Sequence, residues 1–201
     1  MRRAEMDRWA AHCSRCFHAD DEKDCIVFHP RNHRKLHIDM LLFPPNKAYP
    51  FYKLCTMGAS DYKLPLTLCH RNEFVMFLSE QEALSQQQTL EFFCDVLLTV
   101  ALYPAENHFT LNFGHSIVWG KQAGTDMEAA FLDLPYPIQD PGFAKCRLSP
   151  VKETRCLQVT LLTREETEQM RTLGPEKFYD FLYPSQGKAH FLSQRFRDSL
   201  F

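Results

Sequence analysis

The sequence contains no apolar run long enough to cross a membrane. Its densest apolar stretch, residues 96–103, is eight residues long and includes Thr99, whereas a membrane-spanning helix needs about 20 apolar residues. The N-terminal segment begins with basic residues but has no apolar core of the kind found in secretory signals. These two absences predict a cytoplasmic protein without a membrane partner.

The chain also lacks a large excess of positive or of negative charge. The 201 residues carry a formal net charge of −2, and the pI is about 6.5. Binding to nucleic acid requires a clustered basic surface, so we expect no nucleic-acid partner. The eight cysteines are scattered through apolar contexts. Without a secretory signal, this pattern favours buried free thiols over a disulfide framework.

Motifs of the common enzyme classes are absent. The chain has no G-x-S-x-G, H-E-x-x-H, P-loop or G-x-G-x-x-G pattern. His37 and Asp39 lie two positions apart on one face of a predicted strand and suit a base and the group that orients it. No nucleophile with a local signature accompanies them. We therefore favour a non-enzymatic protein that needs no cofactor, and we keep a hydrolase using His37 and Asp39 as an alternative.

Cysteines and histidines near the N-terminus raise the question of a metal site. The group consists of His12, Cys13, Cys16, His18, Cys25, His29, His33 and His37. Cys13 and Cys16 have the spacing of a zinc-ligand pair, but Cys13 also lies on the apolar stripe of a predicted helix. No clear second pair follows at a fitting distance. We favour a buried Cys13, a half-buried Cys16 and surface histidines, with a zinc-containing scaffold held by Cys13 and Cys16 as an alternative.

The chain does have a well-marked pair of extended segments within residues 36–61. Alternation over residues 36–43 predicts a strand with one core face and a second face that is core only at its far end. The prolines that follow force a turn or loop, and residues 51–56 predict a second strand. Gly58 and the polar residues after it end this strand. We expect a hairpin with a long, stiff loop.

The rest of the chain predicts short strands with helices at the start, middle and end. Helices are predicted at residues 4–17, from residue 90 until Pro104 ends the helix, after a Thr163–Glu166 capping box, and from Pro175 to about residue 183. Further strands are predicted at residues 25–28, 73–78, 116–119, 129–134, 143–148 and 156–162, with a polar loop at 79–88. This order predicts an α+β fold with a mixed, mostly antiparallel sheet flanked by helices.

Residues 37–61, HIDMLLFPPNKAYPFYKLCTMGASD, resemble the signature of the suppressor of fused domain family. That signature is an H-x-D strand, a Pro-Pro turn, an aromatic strand and T-x-G-x-S. The resemblance continues through Leu102-Tyr103-Pro104, Gly114-His115 and the strand before Thr163. It implies a non-enzymatic α+β domain that binds a protein or peptide. Animal members sequester a transcription factor, and stand-alone bacterial members, which this chain resembles in size, are often proposed to be immunity proteins that neutralise polymorphic toxins.

The resemblance also implies a surface for a toxin or a regulatory protein. The candidate contact residues are His37, Asp39, Thr56, Ser60, Asp61 and His115. Thr56 and Ser60 fit equally well as residues that fix the turn after the second strand. Animal members hold an extended peptide with an acidic residue just before the histidine that matches His115. This chain has Gly114 there, which argues against the same peptide as ligand.

The whole chain is expected to be one domain spanning residues 1–201. Residues 1–24 are assigned to the N-terminal helix and an acidic link, and residues 26–185 to the family core. Residues 186–201 are assigned to a C-terminal tail that adds a strand or docks on the surface.

Overall fold

The computed structural model describes residues 1–19, 25–30, 36–65, 71–84, 87–184 and 190–201. Within them the helices are α1 (Arg3–Cys16), α2 (Glu80–Leu84), α3 (Gln87–Asn107), α4 (Arg164–Leu173) and α5 (Pro175–Leu182). The strands are β1 (Ile26–Phe28), β2 (Asp39–Phe43), β3 (Tyr52–Met57), β4 (Asn72–Leu78), β5 (Ser116–Val118), β6 (Ala129–Asp133), β7 (Lys145–Ser149), β8 (Lys152–Leu162) and β9 (Leu192–Ser193). The predicted acidic link at residues 20–24 and the candidate His33 lie outside the described residues.

One sheet contains all the strands of the described residues. Its main path runs β1-β2-β3-β4-β8-β6-β5, with β7 beside β8 and β9 beside β4. The pairs β4–β8 and β4–β9 are parallel, and the other pairs are antiparallel. The α+β fold with a mixed, mostly antiparallel sheet is therefore confirmed, as is the β2–β3 hairpin.

Helices cover both faces of the sheet. Met40 and Leu42 of β2 belong to a core cluster with α3, whereas Leu41 and Phe43 belong to a second cluster with α1. All five residues of β2 are buried. The prediction that one face of this strand is core only at its far end was wrong, because the alternation rule assumes that one side of the sheet faces water. Even Asp39, at the start of β2, is 2% exposed.

Two boundaries around α3 differ from the prediction. The helix runs through Pro104 to Asn107, although a proline removes one helical hydrogen bond. The last turn is held by the buried Ala105 and by a hydrogen bond of 3.0 Å from the side-chain amide of Asn107 to the Tyr103 carbonyl. Part of the predicted polar loop at 79–88 is the short helix α2. Ser79 caps the start of this helix, since its hydroxyl accepts a hydrogen bond from the Glu82 amide at 3.3 Å.

The predicted capping box at the start of α4 is present and has a second use. Thr163 and Glu166 satisfy each other's backbone amides. Glu166 is fully buried and also accepts hydrogen bonds from the Arg197 guanidinium and the Leu200 amide. One carboxylate therefore joins a helix start to the C-terminal tail. Of the helices in the described part of the chain, none combines the length and apolar composition needed to span a membrane.

Candidate functional site

Glu73 organises the turn that carries the T-x-G-x-S pattern. Its carboxylate accepts hydrogen bonds from the Thr56 hydroxyl at 2.6 Å and from the Gly58 and Ser60 amides at 3.0 Å each. The Thr56 hydroxyl in turn accepts one from the Phe74 amide at 2.8 Å. Thr56, Ser60 and Glu73 are completely buried. Within the folded chain, Thr56 and the Ser60 backbone therefore fix the turn after β3.

The sequence analysis did not select Glu73. Glu73 was predicted only as the first residue of the strand at 73–78. A charged residue at the start of an otherwise apolar strand is the feature of the sequence that could have indicated its role. Burial raises the pKa of the Glu73 carboxyl, against the opposing effect of the donors around it. A buried carboxyl surrounded by donors from a single turn is a structural element of that turn.

Gly58 links this turn to the H-x-D segment. Its φ of +123° lies in the region that favours glycine, and a Cβ placed there would lie 2.2 Å from the His37 carbonyl oxygen. The turn therefore packs directly against the His37 backbone. The two halves of the family signature form one structural unit.

His29, His37 and Asp39 come together beside this unit. His29 Nδ1 lies 2.8 Å from Asp39 Oδ1, and His37 Nε2 lies 3.1 Å from the same oxygen. The Asp39 side chain is buried, whereas the His29 and His37 side chains are 69% and 56% exposed. His37 precedes β2, so the prediction that it shares a strand face with Asp39 was wrong, although the two side chains do meet. His29 was named from the sequence in the N-terminal cysteine and histidine group, but it was not placed beside Asp39, because its approach depends on the pairing of β1 with β2.

His29 also lines an open cleft of about 640 Å³ between the end of β1 and helix α3. The lining residues are Phe28, His29, Pro30, Leu90, Glu91, Cys94, Asp95 and Leu98. The lining is therefore largely apolar, with two carboxylates one helical turn apart on α3.

Asp61 lies in an ion network that joins three parts of the fold. Lys152 Nζ of β8 is 2.6 Å from the Asp61 carboxylate and 3.3 Å from that of Glu5 in α1. The Met1 amino group also contacts Asp61. Burial lowers the pKa of Lys152, and Glu5 opposes this effect. The Asp61 carboxylate is thus paired with cations of the same chain, although Asp61 itself is exposed.

His115 lies at the other end of the strand order, just before β5. Its ring packs against Phe109 with 5.5 Å between centroids. Its buried Nδ1 has no hydrogen-bond partner among the described residues. Gly114 has a φ of +81°, and a Cβ there would come within 2.9 Å of the Pro175 side chain. The candidate residues therefore do not form one pocket: His37 and Asp39 are beside β1, and His115 is beside β5.

The Cys13 and Cys16 pair is buried between α1 and the sheet. The Cys16 thiol donates a hydrogen bond to Asp140 at 3.4 Å, and burial raises its pKa to about 12. Among the described residues, the group with ligand atoms close enough to hold a metal ion is His29, His37 and Asp39. The geometry thus gives Cys13 and Cys16 no third ligand in the described part of the chain. The cysteines described there are free, as predicted.

Residues 34–195 match the sequence model of the Suppressor of fused protein family. The chain belongs to the suppressor of fused family. A chain of the Sufu–Fu complex crystal structure has a TM-score of 0.70 at 14% identity, covering 98% of this chain and 92% of that one. A protein described as a suppressor of fused homolog from Neisseria gonorrhoeae has a TM-score of 0.68 at 13% identity, covering 98% and 97%. Drosophila Suppressor of Fused has a TM-score of 0.71 at 15% identity, covering 98% and 51%.

These similarities confirm the predicted family and fold. Comparison with the sequences of curated proteins finds no match. The site residues therefore have to be argued from the geometry of this suppressor of fused domain itself.

Proposed function

We propose that this suppressor of fused domain is a non-enzymatic binding protein that takes an extended segment of a partner protein onto the free edge of β5. The observation that carries the proposal is the position of β5 at the end of the sheet. β6 pairs with one side of β5, and no strand of the described residues pairs with the other. An unpaired strand edge offers backbone donors and acceptors to an incoming chain.

The register indicates which backbone groups are available. Ile117 is paired with Ala130, and its side chain is buried. The His115 carbonyl accepts from the Leu132 amide at 2.8 Å, and the Trp119 amide donates to the Glu128 carbonyl at 3.0 Å. In an antiparallel pair, residues whose backbone groups point towards the partner strand alternate with residues whose groups point away from it. The amides of Ser116 and Val118, on either side of Ile117, therefore point away from β6.

The surroundings of this edge suit a partner with apolar side chains. Val118 is 45% exposed and Phe109 is 48% exposed, and the Phe109 ring packs on His115. Exposed apolar groups beside an unpaired strand supply contacts for alternate side chains of an added strand. The related protein in the Sufu–Fu structure is in complex with another protein, which supports protein binding as the general mode.

The partner is expected to differ from the peptide held by animal members. At Gly114, an acidic side chain would have to adopt a left-handed backbone conformation and displace Pro175. The acidic contact that those members use is therefore sterically disfavoured here.

The test is a proline substitution at Val118. Val118→Pro removes an outward amide while leaving the bonds to β6 in place, since proline is tolerated at a strand edge facing solvent. Val118→Thr is the matched control, because it keeps the amide and the branched shape. Partners captured from extracts of the source organism by the wild-type protein are identified, purified and titrated against the three proteins.

We expect Val118→Pro to weaken binding at least about tenfold and Val118→Thr to change it little. Equal affinity for the proline variant would contradict strand addition at β5. Conversion of the captured molecule into a product would contradict the non-enzymatic role.

A narrower proposal is that the partner is a toxin and that this domain is its immunity protein. The match to nearly the full length of the Neisseria gonorrhoeae protein supports a role like that of stand-alone bacterial members. Co-expression with each toxin encoded beside its gene tests this role. Failure to protect cells from every such toxin would remove the immunity proposal and leave protein binding in place.

A further inference from the structure

We propose that His29, His37 and Asp39 form a binding site for a divalent transition-metal ion, with Zn²⁺ as the ion that best fits the ligands. The potential ligand atoms are His29 Nδ1, His37 Nε2 and an Asp39 carboxylate oxygen, and they lie within 4.8 Å of one another. Two imidazoles and one carboxylate are a ligand set that zinc uses in proteins.

The distances leave room for an ion after a small movement. Zinc binds histidine nitrogen and carboxylate oxygen at about 2.0–2.2 Å, so neighbouring ligand atoms in a tetrahedral site are roughly 3.3 Å apart. The observed separations from Asp39 Oδ1 are 2.8 Å to His29 Nδ1 and 3.1 Å to His37 Nε2. Both histidines already converge on one oxygen, and their two nitrogens lie within 4.8 Å of each other. A shift of the exposed rings by at most about 1.5 Å therefore brings the three ligand atoms to tetrahedral spacing.

The backbone holds these ligands in place. Asp39 is the first residue of β2 and is paired with Met57, and His29 directly follows Phe28, which is paired with Met40. Gly58 packs against the carbonyl of His37. Three ligands fixed by one hairpin and one tight turn are preorganised for an ion.

Exposure and charge also favour metal binding. The two rings are more than half exposed, so an ion can reach them, while the carboxylate is buried. A buried carboxylate gains from a cation bound directly to it. With three protein ligands, a tetrahedral ion keeps one position for water or for a side chain of a bound protein. His29 lines the cleft against α3, so that fourth position lies close to a surface that can receive a partner.

The experiment titrates Zn²⁺ into the full chain by isothermal calorimetry, under a reductant that does not chelate metals. The variants are His29→Ala, His37→Ala and Asp39→Asn. The matched control is His108→Asn, because His108 is exposed and has a φ of +52° that asparagine tolerates. Co²⁺ replaces Zn²⁺ in a parallel absorption measurement, since thiolate ligands give an intense charge-transfer band that nitrogen and oxygen ligands lack.

We expect one equivalent of Zn²⁺ to bind the wild-type chain and the control. We expect affinity to fall at least about tenfold in each ligand variant, and the Co²⁺ spectrum to lack thiolate bands. The proposed site would be overturned if the wild-type chain bound no Zn²⁺, or if the Co²⁺ spectrum showed a thiolate band. It would also be overturned if His29→Ala and His37→Ala bound Zn²⁺ as tightly as the wild-type chain. His29→Ala changes an exposed ring, so the test stands even where Asp39→Asn does not fold.

Discussion

Removal of the Glu73 carboxylate provides the sharpest test of how the T-x-G-x-S turn is held. Glu73→Ala leaves three buried donors without an acceptor: the Thr56 hydroxyl and the amides of Gly58 and Ser60. Each buried donor left unsatisfied costs about 1–3 kcal/mol. We therefore expect the free energy of unfolding to fall by at least about 3 kcal/mol, a large share of the 5–15 kcal/mol typical of domains.

Two further variants separate the causes of this loss. Ser60→Ala keeps the amide that Glu73 binds and removes a buried hydroxyl that has no hydrogen-bond partner of standard geometry among the described residues, although it lies near enough to lower the pKa of Glu73. Its free energy of unfolding is expected to stay within about 1 kcal/mol of the wild type, well short of the loss in Glu73→Ala. Glu73→Gln keeps the size and one acceptor oxygen. Because burial raises the pKa of Glu73, loss of its charge alone is expected to cost less than truncation to alanine.

The assay is denaturant unfolding followed by circular dichroism, with the slope of the transition compared between variants. A loss of under about 1 kcal/mol in Glu73→Ala would refute the proposed role of the carboxylate. An equal loss in Ser60→Ala would place the stabilisation in the hydroxyl instead.

Three other perturbations have defined outcomes. Burial raises the pKa of Asp133 from 3.8 to about 7, so the folded state binds the proton more tightly than the unfolded state. The free energy of unfolding should therefore fall by up to about 4 kcal/mol as pH rises from about 4 to about 7. Unfolding curves across that range should show that Asp133→Asn removes most of this fall, the remainder coming from groups such as Glu73; an unchanged pH dependence would contradict the assignment to Asp133. Gly114→Asp should lower the melting temperature more than Gly120→Asp, because both glycines have positive φ but of the two only Gly114 has a close neighbour. An equal fall in melting temperature in the two variants would exclude a steric cause. Glu166→Ala should lower the free energy of unfolding by about 3–5 kcal/mol in denaturant titrations, since it leaves the mostly buried Arg197 guanidinium without its carboxylate. Glu165→Ala, at the exposed neighbouring position, should have little effect.

The regular elements could be predicted where local pattern decides them. The Thr163–Glu166 capping box and the proline at the start of α5 mark helix boundaries through contacts of neighbouring residues. Pro104 misled the prediction, because the buried Ala105 and the side-chain amide of Asn107 support a last turn that proline alone disfavours.

The candidate site depends on contacts between residues that are on different strands and are not neighbours in the sequence. His37 and Asp39 could be found because they are two residues apart, but His29 reaches Asp39 only through the pairing of β1 with β2. Glu73 acts on residues 13 to 17 positions earlier, across the β3–β4 pair. Interactions of this kind follow from strand register, which hydrophobic alternation alone does not specify.

The position of β9 has a consequence for synthesis of the chain. Phe77 in the central strand β4 pairs with Leu192, more than a hundred positions later. Contacts of such long sequence separation form late, because a large loop must close first. In a nascent chain on the ribosome, β8 can cover residues 72–75 of this flank of β4 earlier, but the end at Phe77 and Leu78 stays open until Leu192 and Ser193 have emerged. During that interval the flank is a target for chaperones and for pairing with other unfinished chains.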